Sequence, residues 1–149
     1  MVIVNAIRGR RVYLDANIFI YAVEGYPDLS EELTELFDSF DGGTLVAITS
    51  ELTLAEVLVQ PLMENNLEVE AAYREAVQSS AVLEVVPISR DILVEAARLR
   101  SRQTKLKLPD AIHGGTAGLT GCETFLTNDR QLKSLAGIEV VILSEVLAR

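Results

Sequence analysis

Four acidic residues stand beside apolar sequence, where a carboxylate without a partner would be costly to bury. Asp15 interrupts VYLDANIFIYAVE, Glu56 lies in ELTLAEVLVQPLME, Asp110 opens the helix-like part of KLPDAIHGGTAGL, and Asp129 follows the strand-like TFLT. Each has a local explanation. Asp15 and Asp129 can N-cap the segments after them. Asp110 follows Pro109 in a first helical turn, where the helix dipole favours an anion. Glu56 can be a solvated helix residue. As a set they allow another chemistry. Carboxylates gathered within a few ångströms repel and raise one another's pKa values, and a divalent cation resolves that conflict. All-oxygen donors suit Mg²⁺ or Mn²⁺. With His113 and Cys122 the only residues of their kinds, a structural zinc site is excluded. A hard cation would acidify a bound water, so no Ser–His or Cys–His nucleophile is needed. Neutralising one acid should relieve repulsion in the cation-free chain. Asp15→Asn and Asp110→Asn are both expected to leave its melting temperature equal or higher.

The elements around these acids decide whether they can meet. Strand-like runs occupy 11–15, 45–49, 83–87, 124–127 and 139–142. Helical patterns fill 17–24, 29–41, 50–65, 68–80, 89–103 and 109–120, with a short one from 129. This alternation predicts an α/β domain with a mostly parallel sheet. Residues 1–10 read as an N-terminal arm and 11–149 as a single domain. In open α/β sheets, ligands sit beyond the carboxyl ends of the strands. Asp15 and Asp129 follow strands there, and Glu56 lies in the helix that starts after the second strand, with Ser50 as its expected N-cap. No other charge separates Glu51 from Glu64. Leu52 and Val59 flank Glu56 on one side of that helix and Thr53 and Gln60 on the other, so it borders the apolar stripe.

The net charge of −9 argues against nucleic acid until its distribution is considered. Between Val12 and Ala97 the only basic residues are Arg74 and Arg90, whereas residues 98–107 hold Arg98, Arg100, Arg102, Lys105 and Lys107 and no acid. That run suits a helix C-terminus, a phosphate-contacting patch, or both. Apolar content is 49% and mean hydropathy +0.26, yet no apolar run is long enough for a membrane span, and the N-terminus is a poor signal peptide. A cytoplasmic protein with apolar surface hidden in an oligomer or under a partner is expected. Cys122 reads as a core residue.

LDANIFIY, SELTLAEVL, LPDAIH and FLTND, in that order and spacing, resemble the four signatures of the PIN-domain nucleases. The likeness is closest to the VapC-type toxins of toxin–antitoxin pairs and covers residues 11 to 149. It implies a three-layer α/β/α sandwich with a central, mostly parallel sheet, hydrolysis of RNA phosphodiester bonds with Mg²⁺ or Mn²⁺, a homodimer, and a small antitoxin that inserts into the active-site groove. Carried over by position, it makes Asp15 and Asp110 the metal-binding aspartates, Glu56 the supporting glutamate and Asp129 the fourth acid. Thr127 becomes a hydroxyl that bonds within the carboxylate cluster, and Asn17 a brace for the first turn. Arg102, Lys105 and Lys107 are candidates for holding the RNA backbone. His113, three residues after Asp110, is a candidate for touching substrate phosphate or tuning the acids, with a packing role as the alternative. Gly114 and Gly115 stand where better helix formers are usual, which suits either close helix packing or room for substrate. A housekeeping RNA-processing nuclease, a non-catalytic PIN-fold RNA-binding or interaction module, and a phosphoacceptor receiver domain are the competing readings. The receiver lacks support, because Asp15 has no acidic neighbour.

Overall fold

The computed structural model describes residues 2–148. β1 (Arg11–Leu14) leads into α2 (Ala16–Glu24) and α3 (Ser30–Asp41), β2 (Val46–Ser50) into α4 (Glu51–Met63) and α5 (Leu67–Ala76), and β3 (Leu83–Val86) into α6 (Arg90–Arg102) and α7 (Leu108–Leu119). β4 (Thr124–Thr127) continues through a single 3₁₀ turn, Arg130–Leu132, to β5 (Glu139–Ile142) and α8 (Leu143–Leu147). The five strands pair in the order β3-β2-β1-β4-β5, and every pairing is parallel.

Helices cover both faces, so the three central strands, β1, β2 and β4, are buried almost throughout instead of alternating. On one face, Val12, Leu14, Ala47 and Leu126 pack with Phe19, Leu36, Val57 and Tyr73 of α2 to α5. On the other, Tyr13, Ile48 and Phe125 pack with Ala117 of α7 and with Leu132 and Leu135. The result is the expected α/β/α sandwich, with α6 and α7 forming the thinner outer layer. No helix among the described residues is long and apolar enough to cross a membrane.

Two features differ from expectation or settle an open one. Where an arm is expected, Val2–Ala6 form a short helix, α1. Its Ile3 is fully buried in the larger core, which ties the segment down. Gly114 and Gly115 serve helix packing. A Cβ on Gly114 would lie 3.0 Å from Leu135 Cδ1, and one on Gly115 would lie 3.3 Å from the backbone oxygen of Ile92 in α6. The missing side chains let α7 lie close against α6 and the turn after β4.

The strand order reverses between β1 and β4. β1 is followed across the sheet by β2, and β4 by β5, so the connections leaving β1 and β4 depart in opposite directions. A crevice forms at such a switch point, outside the carboxyl ends of the strands.

Candidate active site at the carboxyl edge of the sheet

Register alone brings the first two site residues together. Tyr13 pairs with Phe125 and Leu14 with Leu126, so the next residues on Tyr13's face of the sheet are Asp15 and Thr127. The Asp15 N–H extends the ladder by donating to the Leu126 carbonyl at 3.0 Å. Thr127 Oγ1 donates to Asp15 Oδ2 at 2.6 Å. It also accepts from Asn17 Nδ2 at 3.2 Å and from the Asp129 N–H at 3.0 Å. One hydroxyl therefore joins both strand ends. Asn17 Oδ1 in turn accepts from the Asn128 N–H, closing a small net.

Each strand-end acid also caps the element after it. Asp15 is the N-cap of α2, its Oδ1 accepting from the Ala16 N–H. Asp129 Oδ1 accepts from the Gln131 N–H and starts the 3₁₀ turn. The capping alternative is thus observed at both positions, and it leaves both carboxylates at the carboxyl edge of the sheet.

The other two acids arrive on helices. Ser50 Oγ accepts from the Leu52 N–H and starts α4, which carries Glu56 with a third of its side chain exposed. Pro109 lies in the first turn of α7, followed by Asp110. Asp110 is half-buried, and its carboxyl is pushed above the usual carboxylate range. Burial is the main cause, followed by the charges of Asp15 and Asp129 and, more weakly, Glu56, with His113 opposing them. The charges of Asp15, Asp129 and Glu56 thus all reach Asp110.

His113 lies beneath this place and is fully buried. Its Nε2 is 2.5 Å from Glu56 Oε1 and its Nδ1 is 2.5 Å from the Tyr13 hydroxyl. Asp15 Oδ1 is 3.9 Å from the same Nε2. Burial is the largest influence on this imidazole and lowers its pKa, but Glu56, Asp15 and Asp110 together outweigh it and raise the value. A direct contact with substrate phosphate is therefore corrected: both ring nitrogens are engaged and none of the ring is exposed. Tyr13 was not legible as part of this group. The available signal is that a tyrosine flanked by Val12 and Leu14 in a buried strand needs a partner for its hydroxyl. Asn128 was missed too; its side chain accepts from the Ser144 N–H and donates to the Tyr21 hydroxyl, fixing the loop beside Asp129.

Beside Asp110 opens a groove of about 660 Å³, lined by Gln103, Lys105, Lys107, Gln131 and Ser134 among others. Lys105 and Lys107 are exposed, and neither forms an ion pair among the described residues. Arg102 is exposed at the end of α6 but does not line the groove. Gln103 fixes the far wall, donating to the Ser134 carbonyl and accepting from the Ala136 N–H.

The donors suit a hard cation, because the groups facing the edge are carboxylates and the only imidazole is engaged on both sides. They do not form a ready cage. Among the described residues, no three His, Cys, Asp or Glu side chains are gathered closely enough to hold a metal ion. Asp15 spends both oxygens, and Glu56 and Asp129 one each, on the hydrogen bonds above. Mg²⁺ keeps several waters and is commonly held by one or two carboxylates, which a spread set accommodates.

The PIN domain family model matches residues 12–138, a span that includes all four acids. No curated protein matches the chain significantly. Among solved structures, a chain of a toxin–antitoxin complex from Klebsiella pneumoniae is 30% identical, with a TM-score of 0.62 over 87% of this chain and 95% of that one. VapBC2 from Rickettsia felis, bound to a DNA fragment from its promoter, matches at 19% identity and a TM-score of 0.69 over 89% and 98%. VapBC-5 from Mycobacterium tuberculosis matches at 21% and 0.61 over 90% and 99%. With its sheet order, its acids at the switch point and the family match over most of its length, this chain belongs to the PIN domain family.

Proposed function

We propose that this protein is a divalent-cation-dependent endoribonuclease that acts as the toxin of a toxin–antitoxin pair. The observation that carries the catalytic part is the crowding of charge at Asp110. Asp15, Asp129 and Glu56 all disfavour its ionisation, and no Lys or Arg of the described residues pairs with any of the four. Such a charge surplus, opposed from within the protein by His113, favours an external cation. Asp15, Glu56, Asp110 and Asp129 would hold Mg²⁺ or Mn²⁺, which supplies Lewis acidity and lowers the pKa of water.

The remaining work belongs to the protein. Thr127 orients Asp15, and Asn17 holds Thr127. Lys105 and Lys107 offer ammonium groups to RNA phosphates along the groove, with Arg102 farther out. That local positive charge offsets part of the overall −9 where a polyanion must approach. The antitoxin is supported by the likeness to chains of toxin–antitoxin complexes. A homodimer working in the cytoplasm completes the proposal. It is supported by Val59, Leu62, Met63 and Leu67, exposed apolar side chains around the α4–α5 corner that an oligomer could cover.

The test is cleavage of a mixed single-stranded RNA pool by the purified chain. Cleavage should require Mg²⁺ or Mn²⁺, stop with chelator, and fall by more than about a hundredfold in Asp110→Asn. Cleavage at full rate in chelator, or by the variant, would remove the cation from the mechanism.

A further inference from the structure

Tyr13 and His113, which lead by direct contacts to Glu56, have no role of their own in the proposed chemistry. His113 comes from α7, Tyr13 from β1 and Glu56 from α4, so the imidazole ties three elements together beneath the acid edge. Among the described residues, the Glu56 side chain makes no hydrogen bond except the one to His113 Nε2. Without it, a carboxylate on a flexible stem, a third exposed, would sample several rotamers.

The direction of each hydrogen bond follows from the chemistry of the groups. A carboxylate only accepts, so Nε2 carries a proton toward Glu56. In neutral imidazole Nδ1 then has no proton and must accept, and Tyr13 supplies the O–H. A tyrosine phenol keeps its proton at neutral pH, so that donor is present. In the imidazolium form Nδ1 donates to the Tyr13 oxygen instead. In both forms Nε2–H faces Glu56, so the contact does not depend on the charge of the ring. Tyr13 is itself fixed, with its ring stacked on Phe125 at 4.8 Å between centroids.

We propose that His113, held in one tautomer and orientation by Tyr13, is a positioning residue that pins Oε1 of Glu56 and presents the glutamate to the divalent cation. The proposal rests on the cation site proposed above. Hydrogen-bond partners that orient a metal ligand are typically worth ten- to a hundredfold in metal affinity. His113 never touches substrate, so its loss should act through the cation.

The test is titration with Mn²⁺, followed by the loss of the free-ion paramagnetic resonance signal, together with thermal melts in chelator. His113→Leu removes the donor and should bind Mn²⁺ at least about tenfold more weakly than the native chain. His113→Gln can place an amide N–H near the position of Nε2 and should recover most of that affinity. Tyr13→Phe keeps the ring and frees the tautomer, and should fall between native and His113→Leu. A structural role alone would lower the melting temperature without this order of affinities. Asp15→Asn separates the positioning role from the cation site. If it lowers Mn²⁺ affinity while the His113 and Tyr13 variants bind like the native chain, the positioning role is overturned and the cation site stands. If Asp15→Asn and all the others bind like the native chain, the cation site falls and the positioning role with it. Gln binding as weakly as Leu would also overturn the role of the donor. Should His113→Leu fail to fold, the Tyr13→Phe and His113→Gln affinities carry the same decision.

Discussion

The strand-end half of the acid edge and its helix-borne half are built differently. Asp15 and Asp129 follow β1 and β4 and are held by hydrogen bonds from Thr127, Ala16 and Gln131, with Asn17 bracing Thr127. Asp110 and Glu56 reach the same place from α7 and α4. Among the described residues, the Glu56 side chain has a single hydrogen bond, to His113, and the Asp110 side chain has none. The first half is fixed by directional bonds that its carboxylates satisfy. The second half is brought in by helix packing and resisted by charge. A residue of one type, aspartate, can therefore stabilise the fold at one position and oppose it at another within the same cluster.

Asp15→Asn should show the largest combined effect. Asp15 is buried, and both of its oxygens accept. An amide offers one acceptor and places an N–H₂ against either Ala16 N–H or the Thr127 hydroxyl, which already accepts from Asn17 and Asp129. RNA cleavage should fall by more than about a hundredfold, and stability should fall by about 1–3 kcal/mol, which calorimetry can read as a drop of several degrees. The expectation that Asp15→Asn and Asp110→Asn melt alike is thereby revised, because it rested on charge and left out the hydrogen bonds. A melting temperature for Asp15→Asn at or above the native value would erase the difference between the two halves.

Glu56→Gln is the milder break on the helix side. Its amide oxygen can still accept from His113 Nε2, so the melting temperature should change little. Cleavage should drop by about tenfold, within the range expected for a supporting group near a metal. A full loss of cleavage in single-turnover assays would place Glu56 on a par with Asp15.

Smaller still is the effect expected from Lys105→Ala with Lys107→Ala. Both are exposed, so stability should stay within about 0.5 kcal/mol. RNA binding should weaken, and the slope of log affinity against log salt should lose about 0.7 per lysine that contacts a phosphate of a single strand. An unchanged salt slope would show that the groove beside Asp110 does not carry the RNA backbone.

The sheet and the strand-end acids were legible because the determinants are local. VYL, VAITS and TFLT are short runs of apolar residues, threonine and serine that a doubly covered parallel sheet can bury, and Asp15, directly after the first, and Asp129, two residues after the last, must lie at the carboxyl edge. Glu56 was legible as a border residue from its helical neighbours. The partner of Glu56 was not, because His113 is 57 residues away and Tyr13 is 100 residues from His113. Hydrogen bonds between distant elements depend on helix placement, which periodicity does not supply. The basic run was half-legible. Arg98 pairs with Glu95 and the Arg100 guanidinium donates to the Leu106 carbonyl, leaving Lys105 and Lys107 to line the groove. The helix at Val2–Ala6 was not legible because five residues carry too little pattern; Ile3 anchors it in the larger core, with Val4, Ala6 and Ile7 packed against the same cluster.

If four acids on separate elements form one site, the folded chain must resist the charge it gathers there. The thermal melt of Asp110→Asn in chelator reads that resistance, run beside the native chain with the RNA cleavage of both. Because the folded chain raises the Asp110 pKa, the stability that this residue contributes is present while it is protonated and is lost as pH rises through its folded pKa. Asparagine avoids that loss. Near neutral pH the variant should melt at the native temperature or above it, the difference should shrink on acidification into the ordinary carboxylate range, and cleavage should fall by more than about a hundredfold. A variant that melts lower at neutral pH and still cleaves RNA would make Asp110 a helix-start residue and contradict the four-acid site.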